Sequence, residues 1–373
     1  MIMLIKFKLI MTGIVFSILL ITNSANAQIL KDSSILVQIK KDIDCIYNLE
    51  FEKARELNLK IAKSYPGHPV QFLLKGLLTY WKNYPMLYSS SERISMEEDL
   101  RQCIRLSEKH GNKEYKAEYL LSDLCARGLL IKFYDDNNQT FKVISLATST
   151  YKYMRQSFSF TGDCSDLNYY TGVYNFYRES YPEVYPVYKP LALLFPPGDM
   201  KNGLKQLNTS AINAVVLRGE SFFLLSSIYL NFENKFQQAL QYSRPLHEMY
   251  PENIQYFAQY IKNLLLLKQY DDAEKLIIAS LKENGNKYYL AQLNIFKGIL
   301  QEKKYHDITL AQEYYNSGIN RITPYGEYGK EYAAYAYFGL SRISYSKSDN
   351  KAGKEYREKA KKLGNYKNLT FDK

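Results

Sequence analysis

Residues 221–285 read SFFLLSSIYLNFENKFQQALQYSRPLHEMYPENIQYFAQYIKNLLLLKQYDDAEKLIIASLKENG, and this stretch decides the fold. Phe236-Gln237-Gln238-Ala239 returns thirty-four residues later as Tyr270-Asp271-Asp272-Ala273, an aromatic and an alanine at the same offsets. Twelve residues after Ala239 stands Pro251, and twelve after Ala273 stands Gly285, so a helix stop falls at one phase in both copies. Upstream, Phe223, Ser227 and Leu230 in one copy and Phe257, Ile261 and Leu264 in the next keep helical spacing. The unit is helix, tight turn, helix, breaker. Self-similarity at a period of roughly 20–50 residues marks a stacked array.

The same signature recurs outward. Phe51-Glu52-Lys53-Ala54 leads twelve residues on to Pro66, and the next helix carries Phe72 and Gly76 at large-then-small spacing. Asn168 with Gly172, Asn294 with Gly298, and Tyr335 with Gly339 repeat that spacing. Ala311 and Ala352 follow their glycines by thirteen residues rather than twelve, so those two turns are expected to be one residue longer. Small residues at Gly76, Ser227, Gly298 and Gly339, met by Ala54, Ala239 and Ala273, would let paired helices approach closely.

This pattern resembles the tetratricopeptide-repeat (TPR) family, with a bulky then a small residue on the first helix, and an aromatic and Ala opening the second. The likeness covers about three quarters of the chain beyond its leader, densest over 220–285, present over 48–82 and 288–362, and thin over 86–164. It implies an all-α, TPR-like α-α superhelix, a helical-repeat solenoid in which each unit buries its apolar face on the next. First helices would line a concave groove and second helices the outer wall. The groove would then carry Tyr80, Trp81, Tyr169, Tyr170, Phe176, Tyr177 and Tyr337, with Gln255, Gln259 and Lys262 as polar contacts. By the same resemblance the expected function is a non-catalytic scaffold or adaptor binding proteins or peptides. The expected divisions are a leader at 1–27, divergent repeats at 28–164, an aromatic and Pro-rich helix with a non-repeat insertion at 165–210, and regular repeats at 211–373.

The leader is read from Lys6 and Lys8, the thirteen-residue apolar run Leu9–Ile21, and Ala25 and Ala27 in an A-x-A pattern. That order predicts a secretory signal cut between Ala27 and Gln28. Thirteen residues span about 20 Å as helix, short of the roughly 30 Å hydrocarbon core. No Cys lies near the cut, which disfavours a lipoprotein. The expected location is the periplasm or cell envelope, outer-membrane associated or secreted. Cleavage would remove two lysines from a chain of formal charge +11. The excess is spread through a Lys-, Asn-, Ile- and Tyr-rich composition, and export separates it from nucleic acid, so no nucleic-acid partner is expected. From Tyr345 onward nine Lys/Arg face four Asp/Glu, read as a solvated helical face.

Residues 178–210 break the repeat. They hold five of the eleven prolines, Pro182, Pro186, Pro190, Pro196 and Pro197, which predicts an extended path with helix restarting after an N-cap at Asp199. Eight aromatics fall within twenty residues here: Tyr169, Tyr170, Tyr174, Phe176, Tyr177, Tyr181, Tyr185 and Tyr188. They read either as a binding platform or as the packing of a covering loop. Residues 172–207 also resemble a eukaryotic family of helical-repeat proteins implicated in inclusion clearance through Gly198-Asp199-Met200-Lys201-Asn202-Gly203-Leu204, with Met200 breaking the order of the basic residue; no function is carried over. Leu204 stands where a phosphate-binding P-loop needs Lys, so that reading is excluded.

Little else suggests chemistry. Cys45, Cys103, Cys125 and Cys164 show no C-x-x-C spacing; the first three sit in helical patterns and Cys164 in a turn-like stretch, where it is expected to be the most exposed. His68, His110, His247 and His306 lack metal-ligand spacing and are expected at the surface. No catalytic residue, metal or cofactor is expected. The alternative function is a glycan-binding component of an outer-membrane nutrient-uptake system, since stacked aromatics suit sugar rings.

Overall fold

The structure is a computed structural model that describes residues 29–109, 116–184, 186, 189–280, 285–364 and 370–372. The leader expected at 1–27 lies outside the described residues. Every long regular element described is an α-helix, and sixteen of them fall into eight successive pairs. They are α1 (Ser33–Tyr47) and α2 (Phe51–Ser64), α3 (Val70–Lys82) and α4 (Glu92–Lys109), α5 (Lys116–Asp135) and α6 (Thr140–Ser157), α7 (Leu167–Val184) and α8 (Met200–Asn213). There follow α9 (Arg218–Asn231) and α10 (Phe236–Met249), α11 (Ile254–Leu266) and α12 (Tyr270–Ser280), α13 (Lys287–Leu300) and α14 (Ile308–Ile322), α15 (Glu327–Ser346) and α16 (Asn350–Leu363). Each helix packs chiefly on its neighbours in sequence. The chain is a helical-repeat solenoid.

Six of the eight pairs turn through one backbone device. Leu49, Asn138, Asn234, Lys268, His306 and Ser348 all have φ between 56° and 63°, and each stands two residues before a second helix. The following N–H reaches back to close the first helix: Glu50 to Cys45 O at 2.8 Å, Gln139 to Tyr134 O at 2.8 Å, Gln269 to Leu264 O at 2.9 Å and Asp349 to Ser344 O at 3.0 Å. This is the left-handed C-cap that satisfies orphan carbonyls. Five residues after the left-handed residue come Ala54, Ala239, Ala273 and Ala311, all fully buried. In the last pair that place belongs to Gly353, whose added Cβ would lie 2.8 Å from the Tyr345 ring, whereas Ala352 is half-buried. The extra residue expected before Ala311 is absorbed by a π-helical turn over Gln301–Tyr305, across which Asp307 N reaches Gln301 O at 3.0 Å.

The small residues permit close approach where the sequence suggests it. A Cβ on Gly76 would sit 2.6 Å from Leu100, and one on Gly298 2.6 Å from the Tyr315 ring, which Gly339 meets from its other side. Tyr315 is fully buried and donates to Glu302 Oε2 at 2.7 Å, and Arg342 clamps that carboxylate at 2.6 and 2.8 Å.

First helices touch one another in two arcs, α1–α3–α5 and α9–α11–α13–α15, forming the inner layer. The arcs then close on each other. Tyr250 Oη donates to Asp44 Oδ1 at 2.8 Å, Asn253 Nδ2 to Tyr47 O at 2.9 Å, Asn286 Nδ2 to Tyr84 O at 3.1 Å, and Tyr328 Oη to Met86 O at 3.1 Å. Tyr47 and Trp81 meet Tyr256 at 5.9 and 5.7 Å, and Tyr84 meets Tyr328 at 5.7 Å. One hydrophobic core consequently runs from Ile29 to Phe371, with a smaller one around Phe176, Leu207, Ala211, Leu225 and Ile228.

The Pro-rich segment is more helical than its prolines suggest. α7 continues through Pro182 to Val184, because a proline in the last turn forfeits one hydrogen bond near a helix end. After a single turn at Lys189–Ala192 the chain restarts as α8, where Asp199 accepts from Asn202 N at 2.9 Å, the expected cap. α7 and α8 run antiparallel in near backbone contact: a Cβ on Gly172 would lie 2.9 Å from Gly203 O, and one on Gly198 2.6 Å from Asn175 O. The glycines of the Gly198–Leu204 run serve this packing.

Candidate functional site

Where the two arcs and α7 converge, they leave a cavity of about 150 Å³. Its wall comes from five first helices and the lead into the last of them: Tyr47 of α1; Leu73, Leu74, Leu77, Tyr80 and Trp81 of α3; Cys125, Gly128, Leu129 and Lys132 of α5; Tyr169 and Tyr170 of α7; and Val216, Leu217 and Glu220 at the start of α9. The lining is mostly apolar. Its aromatics brace one another edge to face: Tyr47 on Trp81 at 5.6 Å and 88°, Tyr80 on Trp81 at 5.8 Å and 85°, Tyr169 on Tyr170 at 5.2 Å and 84°. Such contacts fix ring orientation and keep the cavity wall rigid.

The α9 side of the wall is set by a buried carboxylate. Asp166 accepts from the backbone N–H groups of Val215, Val216 and Leu217 at 3.0, 2.7 and 2.7 Å. It caps the approach to α9 much as an anion binds a helix N-terminus. Burial pushes its carboxyl up, against the opposing pull of those three donors.

Two charged side chains reach the cavity. Glu220 accepts from Tyr256 Oη at 3.2 Å. Burial raises its carboxyl above the ordinary range, opposed by Lys132 and by the Tyr256 and Tyr47 hydroxyls. Lys132 bonds Asp136 Oδ2 at 2.9 Å. Burial works to lower its ammonium, but Asp136, Glu220 and Asp135 outweigh it and hold the group above its usual value. Burial pushes the Cys125 thiol well up, so it is no thiolate nucleophile.

Four of the expected groove residues, Tyr80, Trp81, Tyr169 and Tyr170, meet in this one cavity. The other six do not. Phe176 is fully buried in the smaller core, where Tyr177 also packs, and both rings meet Phe232, at 5.9 and 5.3 Å. Gln259 is spent on Ser226 and Ser227 at 3.3 and 3.0 Å, and Lys262 on Glu331 at 2.8 Å. Tyr337 stacks on Tyr356 of α16 at 6.2 Å, and Gln255 is half-buried on α11. Their partners are local: Gln259 and Lys262 are taken up by first helices of their own arc, Tyr337 by the second helix of its own pair, and Phe176 and Tyr177 by Phe232 at the end of α9. Sequence reading missed Tyr47, Lys132 and Glu220, because their approach depends on contacts across distant units.

Two further expectations need correction. Cys164 is 4% exposed, and burial pushes its thiol up to about 12; all four cysteines are free and buried. His68 is buried, accepting from Val70 N through Nδ1 at 3.1 Å with Nε2 3.6 Å from Glu118, and His247 is half-buried between Phe257 and Tyr260 at 4.9 and 5.3 Å. His110 lies outside the described residues. Among the described residues no three His, Cys, Asp or Glu side chains gather as a metal-binding group. No protein-family model matches the chain, and no curated protein matches it.

Proposed function

We propose that this chain is an exported, non-catalytic TPR adaptor of the cell envelope that binds a protein or peptide partner by seating one apolar side chain in the aromatic cavity. The observation that carries the reading is the cavity itself, about 150 Å³ and walled by five first helices. A cavity of roughly 150 Å³ lined by apolar side chains admits benzene, the scale of one Phe or Leu side chain. Glu220 and Lys132 supply a carboxylate and an ammonium for the partner's adjoining main chain. A single rigid apolar pocket with few polar groups is the usual form of a binding anchor. The wall suits a sugar less well, because a glycan's many hydroxyls would meet chiefly Leu, Val and ring faces.

Gly128→Leu tests this. It adds a side chain at the cavity wall, where a Cβ would meet the Tyr170 side chain in ordinary contact, Oη at 3.4 Å and Cε1 at 3.7 Å. Residues 28–373 are used as bait in a native envelope extract. A discrete protein retained by the wild type and lost by Gly128→Leu supports the adaptor. Glycan retained without protein moves the reading to nutrient uptake, and the same protein retained by both chains removes the cavity from the binding site.

A further inference from the structure

The aromatic cavity has a chemistry beyond its size. Five of its fifteen lining residues carry aromatic rings: Tyr47, Tyr80, Trp81, Tyr169 and Tyr170. Trp81 stands at 88° to Tyr47 and at 85° to Tyr80, and Tyr169 at 84° to Tyr170, so neighbouring rings meet as adjacent walls of a box. Tyr47, Tyr80 and Trp81 are 2%, 1% and 3% exposed, so these walls are in place before a ligand enters. An aromatic ring carries negative charge on its face, and a cation within about 6 Å of the ring centre is attracted to it.

The carboxylate in the wall adds to that field. Among the lining residues only Glu220 and Lys132 are charged. Glu220 is held by hydroxyls, accepting from Tyr256 Oη at 3.2 Å and from Tyr47. Lys132 is bonded to Asp136 Oδ2 at 2.9 Å, and Asp135 acts on it as well, so carboxylates one turn along the chain offset its ammonium. Glu220 is then the charge left for a ligand. The rest of the wall is mainly leucine, valine and ring. A lysine or arginine side chain would bring N–H donors into that lining, where unmet donors are costly. A quaternary ammonium has the positive charge without an N–H, and its methyl groups are apolar. We propose that the cavity is an aromatic cage for a quaternary, N-methylated ammonium group, with Glu220 as its counter-charge. This rests on the cavity being the seat of a ligand and names the group seated there.

Both hydrophobic cores lie within residues 29–371, so residues 28–373 carry the fold without the leader. That chain is titrated with choline and with 3,3-dimethylbutan-1-ol, which has the same shape with carbon in place of the charged nitrogen, while Trp81 emission is followed. Choline is expected to bind at least ~10-fold more tightly than the alcohol. Glu220→Gln keeps the shape of the wall and should remove most of that preference while leaving the alcohol's affinity unchanged. A peptide bearing trimethyllysine, run beside its unmethylated form, locates the source. Binding tighter than choline's assigns the group to a partner's side chain, and weaker binding assigns it to a free small molecule. Choline binding no tighter than the alcohol, or a preference that survives Glu220→Gln, overturns the proposal. A response to toluene without one to choline overturns the ammonium assignment and leaves the apolar seat standing. Silence with toluene, choline and the alcohol alike removes both readings.

Discussion

Asn253, the N-cap of α11, donates its side-chain amide at 2.9 Å to the carbonyl of Tyr47, the last residue of α1 and 206 positions earlier in the chain. The same Asn accepts from Gln255 N and Tyr256 N at 3.1 Å, so one buried side chain both starts a helix and closes the solenoid. One arm further, Asn286 repeats the arrangement, capping α13 while donating to Tyr84 O at 3.1 Å. Two like units thus grip two like units with the same residue type.

Asn253→Ala removes a cap, at about 1 kcal/mol, and strands a carbonyl at a buried seam, at about 1–3 kcal/mol. Urea unfolding is expected to show a loss of roughly 2–4 kcal/mol. A loss no larger than that of an ordinary exposed cap would mean the seam does not hold in solution.

Asp42 is fully buried on α1, and among the described residues neither of its carboxylate oxygens has a hydrogen-bond partner. Burial pushes it up to about 8 from an ordinary 3.8. The folded state therefore holds this proton more tightly than the unfolded chain. Its contribution is full below about pH 4 and is lost as pH rises toward and through 8. Asp123, raised to about 6 by burial against the pull of Arg127, adds a loss of the same sign over a lower window. Asp42→Asn is expected to be near neutral at pH 4 and to stabilise by several kcal/mol at pH 9, up to about 5–6 kcal/mol for a rise from 3.8 to about 8. Equal effects at both pH values would place a charged Asp42 in water.

Gly172→Ala sets a methyl group 2.9 Å from Gly203 O and 2.8 Å from the Leu207 side chain. A backbone oxygen cannot step aside as a flexible side chain does. The expected cost is about 1–3 kcal/mol, read as a lower Tm by circular dichroism. An unchanged Tm would mean α7 and α8 lie further apart.

All four thiols are buried, including Cys164. The native chain is expected to react with a thiol reagent such as Ellman's only on the timescale of unfolding, and to yield four equivalents in denaturant. Rapid release of one equivalent from the native protein would show Cys164 to be accessible after all.

Much of the architecture was legible because a few residue types carry it. The thirty-four-residue return of an aromatic and an alanine located α10 and α12, and Gly76, Gly298 and Gly339 marked close contacts. The turns were hidden, since the six left-handed positions are occupied by Leu, Asn, Asn, Lys, His and Ser, none of them the glycine that would announce such a turn. Pro182 looked like a break but falls in a last turn, where it is tolerated. The site was half legible. Tyr80, Trp81, Tyr169 and Tyr170 share the first-helix phase and do meet, but phase cannot tell whether an inner face meets a ligand or the chain's own other half. Trp81 illustrates the limit, because Tyr256, which it meets at 5.7 Å, stands on the other arc.

Trp81, the chain's one tryptophan, lines the cavity and so reports on its occupancy. The most direct test is to titrate residues 28–373 with toluene, the side chain of phenylalanine capped by hydrogen, while following Trp81 emission and Tm. The wild type is expected to show a saturable emission change with a rise in Tm, since a ligand held only by the folded state stabilises it. Gly128→Leu should fold with equal or higher Tm, a leucine being the better helix former by about 0.5–1 kcal/mol, and show neither response. The same titration curve for both chains, or no response from the wild type, would contradict an accessible cavity at the centre of the closed solenoid.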